Sequence, residues 1–362
     1  MKVIHVVQGK VNPNRSNGVN SVIYGLTNSM NSLIDVQVIG ISKGVKPNTV
    51  ILRDKVKVYL FPNNNTALNY LKSINNIDIV HLHSVWQWTN VIFSAYLRKV
   101  KIPYVLTIHS GLSNDRLKQS KYYFKMIFQY FFQKKIMDSA KIIQALTREE
   151  ILEISRFTKN KSIHYITNGV NLELTNNKYK IGSENIKIGY LGRFGIEKNI
   201  ESLIKAISLL HTNINFTVEL VGPLNEEYNS LHDLVKKLKL ENIIKFIGPL
   251  YGEEKYSKMQ EWNGYIHIAK SDVVSIALME AFALGIPSIV SRTSQVSYFY
   301  KSGAFVMVEP VDSDISRGIE EFLKSEAEWL NMSNSAKDLV KKTFNWDMVA
   351  LEMEKMYQKV LS

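Results

Sequence analysis

The chain has 362 residues, 45% hydrophobic and 22% charged, which suits a soluble globular protein of two domains. It contains no cysteine, and this excludes a disulfide framework and any cysteine-ligated metal site. Its net charge of +12 attracts nucleotide phosphates, nucleic acid or an anionic membrane, although lysine can equally be a default surface residue.

The chain begins with a strand-like run, Met1–Val7, that is too short and too polar for a signal peptide. No stretch of 18 uninterrupted apolar residues occurs, so we expect no transmembrane helix. These features predict a cytoplasmic protein.

In the first half of the chain, continuous β-branched runs alternate with amphipathic stretches. The runs predict buried parallel strands at Val3–Gln8, Val36–Ile41, Ile79–His83 and Tyr104–Ile108. The amphipathic stretches predict helices at Asn20–Leu33, Ala67–Ile74 and Thr89–Lys99.

A polar segment without periodicity, Leu172–Glu184, precedes a second alternating series and predicts a hinge. Strands are expected at Lys187–Tyr190, Thr217–Val221, Ile244–Phe246, Tyr265–Ile268, Ser288–Val290 and Ala304–Val308. Helices are expected at Asn199–Leu210, Asn229–Leu240, Glu253–Gln260, Ala277–Ala283, Ser313–Ser325 and Trp346–Leu361. Such alternation predicts parallel sheets covered on both faces.

Two polar loops follow strands of the first half. Asn17-Gly18-Val19 precedes a helix, where a glycine lets backbone N–H groups approach an anion or a sugar, but the GxGxxG dinucleotide pattern is missing. The run Thr107–Gly111 puts His109 beyond the carboxyl end of a strand, where ligands bind in open α/β sheets. His81 and His83 alternate within a strand without a nearby carboxylate, so we expect packing or loop contacts rather than a metal site.

Two segments of the second half, a loop and a helix, carry charged residues that suit a ligand. Arg193 and Lys198 lie in the glycine-rich turn that follows a strand, which suits a diphosphate as well as a solvated loop. Glu280 lies among apolar residues of a helix, where a carboxylate is costly unless it is paired or binds a ligand. The start of that helix, Ser275–Ala277, presents free N–H groups to a phosphate.

Taken together and in order, these elements resemble the retaining nucleotide-sugar glycosyltransferases of family 4. The matching elements are Asn17-Gly18-Val19, Asp78–His83, Thr107–Gly111, Thr167–Asn171, Gly192-Arg193 with Glu197-Lys198, Asp272 with Glu280, and Phe344–Trp346. The resemblance implies a GT-B fold, with two Rossmann-like domains facing each other across a cleft and a C-terminal helix crossing back to the first domain. It places the acceptor domain at 1–172, completed by 346–362, and the nucleotide-sugar domain at 173–345.

The resemblance also implies roles for particular residues. Arg193 and Lys198 would neutralise the donor diphosphate, and Glu280 would accept hydrogen bonds from the ribose. His109 would lie by the donor sugar, with Asp272 as the first acidic residue of the catalytic pair. Further donor contacts would come from Gly18, Pro249, Leu250, Tyr251, Ser275, Ile276 and Ala277. Asp272 departs from the usual glutamate, and Val273–Ser275 depart from the usual glycines, so the donor-sugar contact is expected to differ.

We therefore predict transfer of a sugar, with retention, from a nucleotide-diphosphate sugar to a glycan or lipid-linked acceptor in bacterial surface polysaccharide or glycolipid synthesis. A UDP-sugar is favoured, and no metal or other cofactor is expected, because no Asp-x-Asp element is placed for a divalent cation. The alternatives are a catalytically weak GT-B subunit that serves as partner or scaffold of an active enzyme, and a GT-B sugar-nucleotide epimerase.

Residues 116–135 mix cations with many aromatic side chains. The segment suits contact with the anionic inner face of the cytoplasmic membrane, where a lipid-linked acceptor is found, and equally suits a helix whose aromatics face the core. No nucleic-acid-binding motif accompanies it, so no nucleic acid partner is expected.

Overall fold

The computed structural model describes residues 1–12, 18–112, 117, 122–176, 179, 185–272 and 274–362. These residues form two compact units. The first contains the described residues up to Gly169 together with Trp346–Ser362, and the second contains Val170–Asn345. The division thus lies three residues before the expected end of the first domain at 172. The expected hinge opens with a 3₁₀ turn, Leu172–Asn176, and continues into 177–178 and 180–184, which lie outside the described residues.

The first unit is built on an eight-stranded sheet of order β3-β4-β2-β1-β5-β6-β7-β8. The strands are β1 Lys2–Gln8, β2 Asp35–Ile41, β3 Thr49–Arg53, β4 Val56–Phe61, β5 Ile79–His83, β6 Tyr104–Thr107, β7 Ile142–Ala145 and β8 Ile163–Tyr165. Seven strands run parallel, as the buried β-branched runs predict. The expectation of a purely parallel sheet is wrong at the edge, because β3 pairs antiparallel with β4 through a tight turn in which Asp54 has φ 50°.

Helices pack on both faces of this sheet and bury two apolar clusters against it. They are α1 Gly18–Met30, α2 Asn64–Ser73, α3 Trp88–Val100, α4 Tyr122–Phe128, α5 Lys134–Ser139 and α6 Arg148–Ser155. A π-helical turn, Gln129–Gln133, joins α4 to α5.

The second unit has a six-stranded parallel sheet of order β11-β10-β9-β12-β13-β14. Its strands are β9 Ile186–Leu191, β10 Phe216–Val221, β11 Ile244–Gly248, β12 Gly264–His267, β13 Ser288–Ser291 and β14 Phe305–Val308. Its helices are α7 Ile200–Ser208, α8 Glu226–Lys237, α9 Gly252–Met259, α10 Ile276–Leu284, α11 Asp312–Lys324 and α12 Trp329–Thr343. Apart from α12 and a 3₁₀ helix at Gln295–Ser302, the strands and helices described for this unit were predicted to within a few residues.

The last helix, α13 (Trp346–Leu361), is the C-terminal helix that the sequence predicts to cross back. Its apolar face, from Val349 to Val360, is buried with β1 and α1 in a cluster of the first unit. Gly25 of α1 permits this contact, because a Cβ atom there would lie 2.3 Å from the Trp346 indole nitrogen. No helix within the described residues is long and apolar enough to cross a membrane.

Candidate active site

The order of strands marks a topological switch point in the second unit. From β9 the chain builds outward to β10 and β11, and it then returns to the other side of β9 to form β12, β13 and β14. Open α/β sheets bind ligands at the carboxyl ends of strands where the order reverses. The loops that follow β9 and β12 contain Arg193, Lys198 and Asp272.

Lys198 and Asp272 form a largely buried ion pair at this switch point, with Nζ 2.5 Å from Oδ2 and side-chain exposures of 15% and 10%. His267, at the end of β12, brings Nε2 to 3.1 Å from the same carboxylate oxygen, although neither of its ring nitrogens makes an aligned hydrogen bond with a described residue. Burial raises the pKa of the Asp272 carboxyl, but Lys198 and His267 outweigh it, and the net shift is downward. Asp272 is therefore a fixed anion that orients Lys198.

Arg193 and Lys198, the two cations of the loop before α7, contact different carboxylates. A 3₁₀ turn, Ile196–Lys198, ends at Asn199 in the left-handed region with φ 62°, and the Glu197 carbonyl accepts a hydrogen bond from the Lys270 N–H. Lys198 thereby points at Asp272, whereas Arg193 is 59% exposed and lies 3.8 Å from Glu197. The two cations therefore have different carboxylate partners, Glu197 and Asp272.

The start of α10 offers backbone donors next to the switch point. Ser275 is the N-cap, and its hydroxyl accepts a hydrogen bond from the Leu278 N–H at 3.4 Å. The N–H groups of the first helical residues, Ile276 and Ala277, have no acceptor within the helix, because the first turn of any helix leaves them unpaired. They are placed as the sequence predicts for contact with an anion.

Glu280 lies one turn further along α10 and is buried, as its apolar neighbours predict. Its Oε1 accepts hydrogen bonds from Lys255 Nζ at 2.7 Å and from the Tyr256 hydroxyl at 2.9 Å. Both partners lie on α9, and the sequence analysis did not single them out. Burial raises the pKa of Tyr265, and the charges of Glu280 and Asp272 add to this effect, so both carboxylates act on one tyrosine.

Residues 249–251 precede α9, with Tyr251 as its N-cap residue. Pro249 and Tyr251 are exposed and Leu250 is half-buried. This loop is accessible to a planar ligand.

In the first unit the switch point lies between β1 and β5, and His109 follows the neighbouring strand β6. His109 and Ser110 both adopt left-handed backbone angles, with φ 53° and 64°. The buried carboxylate of Glu150 holds this turn by accepting the Ser110 N–H at 2.7 Å and the Leu146 N–H at 2.6 Å. Residues held in this sparsely populated region are common at functional sites.

His109 is the outermost and only half-buried residue of a cluster whose other histidines, His5, His81 and His83, are buried. Its Nε2 is 3.1 Å from His83 Nδ1, and His83 Nε2 is 2.9 Å from His5 Nδ1. Burial lowers the pKa of His109 to about 4 and that of His5 to about 3, so both are neutral near pH 7. His81 and His83 thus have contacts within the core, and His83 also contacts His109 of the loop after β6, as the expectation of packing or loop contacts allows.

His5 and Tyr357 of this cluster were not identified from the sequence. The parallel register that places His5 opposite His81 is the signal that could have found His5. Tyr357 lies 276 residues from its partner His81, and no local pattern shows that contact.

Gly18 is the first residue of α1 and is exposed, and no described atom lies within 4 Å of a Cβ atom built on it. No steric need for glycine is therefore evident among the described residues. Asn17, in the same predicted loop, lies outside them.

Comparison with known families matches both units in order. The Glycosyltransferase Family 4 pattern matches residues 16–174, and the Glycosyl transferases group 1 pattern matches residues 173–343. The chain belongs to the family 4 glycosyltransferases. A curated relative of this family 4 chain is the uncharacterized glycosyltransferase MJ1069 of Methanocaldococcus jannaschii, 25% identical over 260 residues. That match covers 69% of this chain and 65% of the relative, so the chain spans under two thirds of the relative's length.

Solved structures show that the family 4 chain has the GT-B fold. Sucrose-phosphate synthase of Thermosynechococcus elongatus superimposes with a TM-score of 0.81 at 18% identity, over 99% of this chain and 98% of that one. HepE of Anabaena, in complex with UDP-glucose, gives a TM-score of 0.78 at 14% identity, over 99% and 100% of the two chains.

Proposed function

We propose that this chain transfers a sugar, with retention at the anomeric carbon, from a nucleotide-diphosphate sugar to a glycan or lipid-linked acceptor in bacterial surface polysaccharide or glycolipid synthesis. The observation that carries the proposal is the buried Lys198–Asp272 pair at the switch point of the second sheet. UDP is favoured as the nucleotide, and the UDP-glucose complex of the structurally similar HepE supports this choice.

The donor would be held mainly by the second unit. Lys198 and Arg193 would neutralise the diphosphate, and the N–H groups of Ile276 and Ala277 would bind its oxygens. Glu280, fixed by Lys255 and Tyr256, would accept ribose hydroxyls through its second carboxylate oxygen. Residues 249–251, of which Pro249 and Tyr251 are exposed, would contact the base, and His109 would contact the sugar.

The reaction requires cleavage of the bond between the anomeric carbon and the diphosphate, and formation of a bond from that carbon to the acceptor oxygen on the same face. Negative charge grows on the departing phosphate, and preorganised cations and N–H groups stabilise it. Because the acceptor oxygen attacks on the face that the diphosphate leaves, no side chain has to act as nucleophile. The acceptor proton passes to a departing phosphate oxygen, so that no side chain has to act as base. Asp272 keeps Lys198 in place for this step and is itself a poor base, because its pKa is lowered.

The proposal of a lipid-linked acceptor is supported by an exposed aromatic surface, which we define as Tyr122–Phe131. Its aromatic side chains are largely solvent-exposed, among them Tyr123 at 82%, Tyr130 at 78% and Phe131 at 63%. The alternative expectation, that the aromatics of this segment face the core, is therefore wrong for most of them, although Phe128 is buried. Residues 113–116 and 118–121 of the predicted segment, among them Arg116, Lys118 and Lys121, lie outside the described residues. Exposed aromatics beside lysines suit the headgroup region of an anionic membrane.

The decisive experiment is a thermal-shift panel of UDP, GDP, ADP, CMP and dTDP, with and without a chelator. A ligand that binds only the folded state raises the melting temperature by mass action. We expect a shift with one diphosphate, UDP first, that the chelator leaves unchanged. No shift with any of the five, for a folded sample, would overturn the transferase proposal and favour the partner or scaffold alternative.

A further inference from the structure

A continuous chain of hydrogen-bonding side chains runs from His109 into the core of the first unit. Beyond His83 and His5 it continues from His5 Nε2 to the Tyr357 hydroxyl at 3.3 Å, and from that hydroxyl to His81 Nδ1 at 2.6 Å. His81 Nε2 then lies 2.6 Å from Thr107 Oγ1. His5, His81, His83, Thr107 and Tyr357 are at most 2% exposed, so water does not complete their hydrogen bonding.

The inner end of this chain has a fixed direction. Gln144 Nε2 donates to the Ile166 carbonyl at 2.9 Å, and because a carbonyl can only accept, the amide cannot be turned around. Gln144 Oε1 therefore faces the Thr107 hydroxyl and accepts a hydrogen bond from it at 2.6 Å.

The direction propagates outward, because each hydroxyl has one proton and each neutral imidazole has one N–H. Thr107 donates to Gln144, so it must accept from His81 Nε2–H, which leaves His81 Nδ1 as an acceptor. The Tyr357 hydroxyl donates to that nitrogen and therefore accepts from His5 Nε2–H.

The same argument, that each neutral ring has one N–H, applies to the two outer histidines, His83 and His109. His5 Nδ1 accepts from His83 Nε2–H, and His83 Nδ1 accepts from His109 Nε2–H. The argument requires neutral rings, and burial lowers the pKa of all four histidines.

We propose that this one-way chain holds His109 as its Nε2–H tautomer, so that its Nδ1 is presented as a hydrogen-bond acceptor for a hydroxyl of the donor sugar. His109 Nδ1 has no hydrogen-bond partner within the described part of the protein, which leaves it available. The ligand assignment rests on the proposed function, whereas the tautomer assignment does not. His83, His5, Tyr357, His81, Thr107 and Gln144 are positioning residues in this scheme.

Two other uses of the cluster fit the geometry less well. As a proton relay it lacks a terminal base, since it ends on the backbone carbonyl of Ile166. As a metal site, His5, His81 and His83 have ring nitrogens within 4.8 Å of one another, but the His81 and His83 rings are stacked at 4.2 Å. Stacked rings do not converge on a central ion, and the nitrogens are engaged with each other and with Tyr357 and Thr107.

The tautomers are read directly by two-bond ¹H–¹⁵N correlation on the full chain labelled with ¹⁵N-histidine, which gives only eight ring systems. Signals are assigned by loss in single His→Asn variants. At pH 7.5 we expect His5, His81, His83 and His109 each to have its proton on Nε2. A proton on Nδ1 of His109, a charged His109 ring, or bound stoichiometric metal in the purified protein would overturn the proposal.

The role of the chain is tested by Tyr357→Phe, which removes the hydroxyl between His5 and His81. Tyr104→Phe is the matched control, because Tyr104 is also buried in the first unit and donates its hydroxyl proton to the Ile136 carbonyl. We expect the Tyr357 variant to show mixed tautomers at His109 and about tenfold lower kcat, the order expected for loss of one oriented hydrogen bond. The Tyr104 variant should retain the Nε2–H signal and the wild-type kcat.

A Tyr357→Phe protein with an unchanged His109 signal would contradict the positioning role. If that variant does not fold, Thr107→Val against Thr107→Ser makes the same comparison, since serine keeps the hydroxyl. Failure of the proposed function has a different signature, in which no nucleotide shifts the melting temperature while the Nε2–H tautomers remain.

Discussion

Lys198 Nζ lies 2.5 Å from Asp272 Oδ2, and the two residues come from loops 74 positions apart in the sequence. The pair joins the turn after β9 to the loop after β12 across the switch point. Because both side chains are largely buried, each charge is stabilised mainly by its partner and only little by water. Asp272 therefore holds the Lys198 ammonium at the position where we propose that the donor diphosphate binds.

The first prediction concerns the replacement Lys198→Met. It leaves the Asp272 carboxylate without its cationic partner and with only the His267 ring, whose pKa burial lowers, beside it. Breaking such a pair costs about 3–5 kcal/mol when it is fully buried, less here because both side chains are partly exposed. We expect lower stability and a strongly reduced thermal shift by UDP. Lys258→Met is the control, because Lys258 pairs with Glu219 and Glu261 away from the switch point. Equal loss of UDP binding in both variants would argue against a donor role for Lys198.

The second prediction separates ligand binding from folding at Glu280. Glu280→Gln keeps the shape of the side chain but removes the charge that pairs with Lys255. We expect UDP affinity to fall about tenfold or more, because a charged acceptor for two ribose hydroxyls is lost. The matched control is Glu219→Gln, since Glu219 is also buried in this unit and accepts from the Trp262 indole at 2.8 Å. Isothermal titration with UDP measures both, and unchanged affinity in the Glu280 variant would remove it from the site.

The sequence predicted those parts of the fold whose signals are local. Ile79–His83 was predicted to the residue, because a short run that opens with the β-branched Ile79 and Val80 is typical of a buried parallel strand. β3 was missed because it is an edge strand with Val50 and Leu52 more than half exposed, so it lacks a buried face. β7 (Ile142–Ala145) was missed because its four residues include Gln144, which interrupts the apolar run.

The candidate site was predictable only in part, and for a related reason. Glu280 was singled out by its apolar neighbours, and Asp272 by the resemblance to family 4. The side chains that contact these two carboxylates, His267, Lys255 and Tyr256, lie on other elements, and only the packing of α9 and β12 brings them close. Nor does any sequence pattern give the direction of hydrogen bonds from Gln144 to His109.

The third prediction tests the exposed aromatic surface Tyr122–Phe131. A double change, Tyr123→Ser with Phe131→Ser, removes two rings that are 82% and 63% exposed. Each ring gains about 1.5–3 kcal/mol when fully buried in an apolar phase, so we expect at least tenfold weaker binding to phosphatidylglycerol-containing vesicles. Tyr298→Ser with Tyr300→Ser is the control, because these tyrosines are also exposed but lie in the second unit. Sedimentation with vesicles measures both, and a wild-type protein that stays in the supernatant would contradict membrane contact.

The fourth prediction follows from the neutral histidines of the first unit. Burial lowers the pKa of His5 to about 3, whereas in the unfolded chain a histidine titrates near 6.5. Below pH 6.5 the unfolded chain therefore binds more protons than the folded one, so stability is complete above this pH and is lost as pH falls toward the folded value. Asp272 has a lowered pKa and loses its contribution only below the unfolded value of about 3.8, outside this window.

At pH 5.5 each such histidine lowers the free energy of unfolding by about 1.4 kcal/mol relative to pH 7.5. Urea unfolding followed by tryptophan fluorescence at the two pH values measures the difference. In His5→Leu one titrating group is gone, so the pH-dependent loss should shrink by about the same amount, whatever the variant's stability at pH 7.5. His211→Leu is the control for a histidine-to-leucine change as such, since this exposed ring lies outside the cluster. An identical loss in wild type and His5→Leu would mean that His5 takes up a proton as readily in the folded as in the unfolded chain.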